Sequence, residues 1–171
     1  MKRIVLLAIA AIAFAASSVA QKYALIDMEY ILKNIPSYEM ANEQLNQVSQ
    51  RWQKECDDKA AEAKTMYQNY QSDLVFLTED MKVKREEEIR DKETEVVELR
   101  RKYFGPEGEL FKKRESLMKP IQDDIYNAIK KISEEKGYSM VIDRASSPNI
   151  IFASPKIDIS NAVLAKLGYS K

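Results

Sequence analysis

Apolar and small side chains recur at Tyr38, Ala41, Leu45, Val48, Trp52, Cys56, Ala60, Ala63, Tyr67, Tyr70, Leu74 and Leu77, mostly in alternating steps of three and four. That spacing keeps one stripe of a helix against a partner, so it predicts a coiled-coil seam. From Trp52 to Ala63 the steps run four, four, three, an eleven-residue insert that relaxes a left-handed supercoil locally. Pro36 suits the opening turn of a helix, whereas Pro120 removes a donor inside one, so each is expected to mark a discontinuity. Their midpoint, Thr78, is followed by Glu79 and Asp80, the signature of an N-cap with negative charge in the first turn. Residues 37–136 are therefore predicted to form two antiparallel helices folded back near Thr78. Facing residues in such a hairpin have numbers summing to about 156, with roughly one turn of slack. Trp52 then faces Phe104, Leu45 faces Phe111 and Tyr38 faces Met118. At ~1.5 Å per residue the arm reaches about 60 Å from base to tip.

The returning helix is less regular. From Lys82 to Glu95 its only apolar residues are Val83 and Ile89, opposite the far richer end of the first helix. Tyr67, Tyr70, Leu74 and Phe76 are accordingly candidates for exposed apolar surface that takes a ligand. The other reading of the same four residues is that they pack the upper seam. Lower down, Tyr103-Phe104-Gly105-Pro106-Glu107-Gly108 places Pro and two Gly inside a helical pattern, which predicts a break, hinge or bulge.

Beyond the hairpin the period changes to that of strands. Tyr23-Ala24-Leu25-Ile26 at one end, and Tyr138–Ile142 and Asn149–Ala153 at the other, are β-rich runs; Ala145-Ser146-Ser147-Pro148 is the loop between the last two. Gly137 is placed to cap the second helix. A short amphipathic helix, Ala162 to Leu167, ends at Gly168. The two ends of the chain thus meet in one three-stranded sheet from which the hairpin projects, an α+β fold. A sheet this small buries too little apolar area to stand alone, so several copies are expected to share a core.

At the start, Lys2 and Arg3 precede an apolar run from Ile4 to Ala16, then Ser18 and Ala20 before Gln21. This is the pattern of a cleaved export signal over residues 1–20, too short for a bilayer span. Removing Lys2 and Arg3 from 27 basic residues leaves 25 against 27 acidic ones, so the mature chain is near neutral and offers nothing to nucleic acid. There is no His, which removes the usual general base and the commonest transition-metal ligand. Carboxylate runs such as Glu86-Glu87-Glu88 radiate around a helix among Lys and Arg and read as a solvated face. No phosphate loop or nucleophile elbow is present, so neither an enzyme nor a cofactor is expected. The single Cys56 sits on the seam and reads as a small buried hydrophobe.

The order of these pieces resembles the Skp/OmpH family of periplasmic chaperones. The match runs from the signal through Tyr23–Asp27, Ile35-Pro36-Ser37 and the hairpin to Pro120-Ile121, Ala128-Ile129 and Gly137-Tyr138-Ser139-Met140-Val141-Ile142-Asp143. The resemblance implies a signal over 1–20, a body strand within 21–36, a helical arm over 37–136 and the rest of the body over 137–171. It implies a homotrimer whose bodies form a β-barrel, with Leu25, Val141 and Ile151 as body residues. Its arms would hold unfolded outer-membrane proteins in the periplasm without ATP. Relatives with basic arm tips are linked to lipopolysaccharide, whereas here acidic residues slightly outnumber basic ones between Asp73 and Arg90. That balance argues against lipopolysaccharide or an anionic membrane as partner. Two other classes remain open: a structural coiled-coil spacer of the envelope, and a periplasmic adaptor without chaperone activity.

Overall fold

The computed structural model describes residues 21–169; the expected export signal lies outside the described residues. Elements follow as β1 Lys22–Ile26, α1 Met28–Lys33, α2 Pro36–Asp73, a 3-10 turn Leu74–Phe76, α3 Glu79–Phe104, α4 Glu109–Lys136, β2 Tyr138–Asp143, a second 3-10 turn Pro155–Ile157 and α5 Ser160–Lys166. No helix among the described residues is long and apolar enough to cross a membrane. The chain forms two compact units, one of Ile35–Asp123 and one that joins the segment up to Asn34 to everything from Asp124 onward.

In the second of these units β1 and β2 pair in parallel, with Ala24 opposite Val141 and Ile26 opposite Asp143. Parallel partners need a crossover, and here all the intervening helices serve as that connection. The core is made by Ala24, Leu25 and Ile26 of β1, Ile31 of α1, Ile125, Ala128 and Ile132 of α4, and Ile159, Val163 and Leu164 at α5. Ile125, Ala128 and Ile132 follow the helical period, so one stripe of α4 supplies the layer. Gly137, at φ 71°, ends α4 as its sequence position suggested, and its amide donates to Ser133 O at 2.8 Å.

Polar groups fasten the strand ends. Asp27 caps α1 by accepting from Tyr30 N at 2.8 Å, while its own amide donates to Ser160 Oγ at 2.8 Å. Arg144 reaches both Asp27, at 3.0 Å, and Asp158, at 3.5 Å. Asp143 Oδ1 accepts from the amides of Met28, at 3.0 Å, and Ala145, at 3.1 Å. Burial works to raise the Asp143 carboxyl, but hydrogen bonds led by the Met28 amide outweigh it and hold it below its usual range.

Two expectations are corrected. The run Asn149–Ala153 is not a strand: Asp158 bridges to Leu25 instead, and Ile159 N donates to Leu25 O at 2.8 Å, so that edge of β1 is already taken. Ile151 is 99% exposed and Phe152 84% exposed, with no ladder to join in a single chain. Pro120 does not interrupt α4. It lies on an exposed position, where water can replace the donor that its ring lacks.

The clasp around Asp143 generates a test. Asp143→Ala leaves two amides without this acceptor and should cost about 1–3 kcal/mol. Because the carboxyl is depressed in the folded state, its contribution is complete above its ordinary value of 3.8 and is lost as pH falls through the lower folded value. Acid melts monitored by circular dichroism should therefore show a flatter acid limb for Asp143→Asn than for the parent chain.

Candidate functional site

The unit Ile35–Asp123 holds the hairpin, and its tip forms where expected. Helix α2 tightens into the 3-10 turn Leu74–Phe76, Leu77 turns extended, and Thr78 caps α3 by accepting from Met81 N at 3.4 Å. Glu79 and Asp80 then sit in the first turn, where their charge complements the helix dipole.

Cross-hairpin contacts follow the register of about 156. Trp52 stacks on Tyr103 with ring centroids 4.7 Å apart and planes within 4°, one residue from the expected Phe104. Tyr103 Oη donates to Glu55 at 2.9 Å and Tyr70 Oη donates to Glu86 at 2.5 Å. Cys56 is fully buried on this seam, and burial pushes its thiol up. Helix α3 ends at Phe104 and α4 begins at Glu109, so the interruption at Gly105-Pro106 is a true break. A Cβ on Gly105 would fall 2.4 Å from the Arg101 carbonyl oxygen, and one on Gly108 2.8 Å from that of Tyr103, so neither position admits a larger residue unchanged. The break resets the helical phase, and Phe111, expected opposite Leu45, remains 46% exposed.

Between the aromatic stack and the tip, ion pairs flank a seam that buries Ala63 and Val96. Lys92 lies 3.0 Å from Glu62 and 2.8 Å from Glu95, and Lys59 lies 3.7 Å from Glu95. Hydrogen bonds from Lys92 hold both carboxyls below their usual range, and bonds to Glu95 and Glu62 raise Lys92. The sequence reading missed this ladder, although the same register applied to charges pairs 59 with 95 and 62 with 92. Such exposed pairs add little stability each, so they align the helices more than they glue them.

The four candidate residues part company here. Tyr70 is buried, as is Ile89 of α3, and the Glu86 carboxylate together with burial pushes its phenol up to about 12. Leu74 is half-buried. Tyr67 is 51% exposed and Phe76 83% exposed. Val75, Met81 and Val83, near them in sequence, are also exposed; Val75 and Met81 went unmarked in the sequence because they fall off the seam period. A groove of about 450 Å³ runs along this stretch, lined by Tyr67, Leu74 and Ile89 with Glu86, Arg90 and Glu93. The arrangement offers apolar contact and charge but no reacting group, and no cluster of metal-binding side chains occurs among the described residues. In the other unit, Leu25 is buried within its own chain, Val141 is half-buried and Ile151 is bare.

Comparison with known proteins follows the same lines. A family model described as outer membrane protein (OmpH-like) matches residues 22–167. Chaperone protein Skp of Vibrio cholerae is 26% identical over 157 residues, covering 87% of this chain and 85% of that protein. A crystal structure of an OmpH-like protein from Caulobacter crescentus superposes with a TM-score of 0.70 at 12% identity, over 88% of this chain and 86% of that one.

The split among the four residues is directly measurable. Ile89→Ala should lower hairpin stability by about 2 kcal/mol, as truncation of a buried aliphatic side chain does. Tyr70→Phe should remove a phenol that ionises near 12 in ultraviolet titration. Phe76→Ser should leave melting unchanged.

Proposed function

The chain belongs to the OmpH-like family, and from that premise we propose that it is an ATP-independent periplasmic holdase that keeps unfolded outer-membrane proteins from aggregating. The observation that carries the reading is exposed apolar surface at the tip of the hairpin. Val75 and Phe76 are each 83% exposed, and Tyr67, Met81 and Val83 in the same upper part of the hairpin are exposed as well. Contiguous exposed apolar side chains usually mark a binding surface. An aromatic and aliphatic patch without a shaped cavity suits a partner that has no fixed structure, because such contacts need area more than geometry. In this reading Tyr67 and Phe76 contact the client, Leu74 contributes its exposed edge, and Tyr70 holds the helices beneath them.

The proposed working form is a homotrimer assembled through the sheet unit. Ile151, Phe152 and Met140 are exposed there, and among the described residues β2 has a strand on one side only. A second copy that lays Asn149–Ala153 along that edge would cover both the apolar side chains and the unpaired backbone. The near-neutral charge and the lack of His agree with a binding role.

Retention of an unfolded β-barrel protein in soluble form, with the molar mass of the complex read by light scattering, tests the reading. Tyr67→Ser with Phe76→Ser should weaken capture by about 1–3 kcal/mol, the range for interface anchors, with helicity and mass unchanged. Ile151→Asp should dissociate the trimer, since a charge left unpaired in an interface costs several kcal/mol. A chain that assembles normally and leaves the client to aggregate would instead be a structural spacer.

A further inference from the structure

The tip has a sign as well as an apolar face. Between Asp73 and Arg90 there are six carboxylates and four bases, a net charge of −2. Two bases are already neutralised by their own helix, Lys82 against Glu79 at 2.7 Å and Arg85 against Glu88 at 3.1 Å. Lys84 and Arg90 then stand against Asp73, Asp80, Glu86 and Glu87. The amino end of α3, whose dipole would draw an anion, is occupied by Glu79 and Asp80 of its own first turn. In the adjoining groove Glu86 and Glu93 outnumber Arg90. Phe76 and Tyr67 are exposed, and aromatic rings attract cations to their faces.

We propose that this tip selects polypeptide segments in which Lys or Arg stands beside aromatic side chains, and that it disfavours anionic lipid surfaces. The proposal rests on the holdase reading and names the chemistry of the client segment. An apolar side chain of the segment packs on Val75, Phe76 and Tyr67 while its cationic neighbour faces Asp73, Asp80 and Glu87. A phosphate-bearing surface meets the same apolar knob with like charge against it.

The test uses the mature chain and two labelled peptides identical but for charge, one alternating Phe with Lys and the other Phe with Glu, read by fluorescence anisotropy. The Lys peptide should bind about tenfold tighter at low salt, the size of two screened charge contacts, and the gap should close as salt rises. Asp73→Asn with Glu87→Gln should narrow the gap; both sites are exposed, and Asp73 ends a helix whose dipole disfavours it, so folding is spared. Val75→Ser with Phe76→Ser should weaken both peptides alike, with circular dichroism unchanged. In flotation with vesicles of mixed zwitterionic and anionic phospholipid, the chain should stay behind. Equal or tighter binding of the Glu peptide overturns the proposal, as does flotation that Val75→Ser with Phe76→Ser abolishes. Failure to keep an unfolded barrel protein soluble, read separately, overturns the holdase reading; a chain that holds that client without preference between the peptides overturns only the charge selection.

Discussion

The parallel pairing of β1 with β2 is the constraint on which the rest of the chain depends. Ala24 meets Val141 across that pair, and parallel strands cannot be joined by a tight turn. Whatever lies between them must leave β1 and come back to begin β2 in the same direction. The stretch 124–136 of α4, which buries Ile125, Ala128 and Ile132 in the sheet unit, supplies the return pass to the start of β2. The clasp of Arg144, Asp27, Asp158 and Asp143 sits at the strand ends where the chain leaves β1 and arrives from β2.

Along the hairpin the means of holding two helices together changes. An aromatic stack at Trp52 and Tyr103 gives way to the ladder of Lys59, Glu62, Lys92 and Glu95 beside buried Ala63 and Val96, then to the buried pair Tyr70 and Ile89, and then to a tip where Val75 and Phe76 stay exposed. Ion pairs and phenol to carboxylate bonds set the register without large apolar burial. They therefore leave hydrophobic area over for another molecule, which a fully apolar seam would have consumed.

Much of this was legible before any coordinates. Thr78 as the cap, the sum of about 156, Cys56 as a buried small residue and the break at Gly105-Pro106 all follow from local rules that tertiary context did not override. Pro120 was misread because a proline's cost depends on whether water can reach the orphaned carbonyl, and exposure is not written in a single residue. The run Asn149–Ala153 has strand composition but no free edge within its own chain. Tyr70 and Tyr67 looked alike on the seam period; only the position of Glu86 and Ile89 across the hairpin separates the buried ring from the exposed one. The ladder at 59, 62, 92 and 95 was available from the register, but a pattern read in apolar residues passes over charge.

The account's central claim is that the surface the seam leaves uncovered is where an unfolded chain is held. A photoreactive side chain placed in turn at Phe76, Tyr67 and the exposed Glu134 of α4, followed by cross-linking to an unfolded β-barrel protein, measures that directly. Positions 76 and 67 should give strong cross-links and position 134 a weak one. Equal yields at all three positions, or cross-linking at 134 alone, would contradict the account.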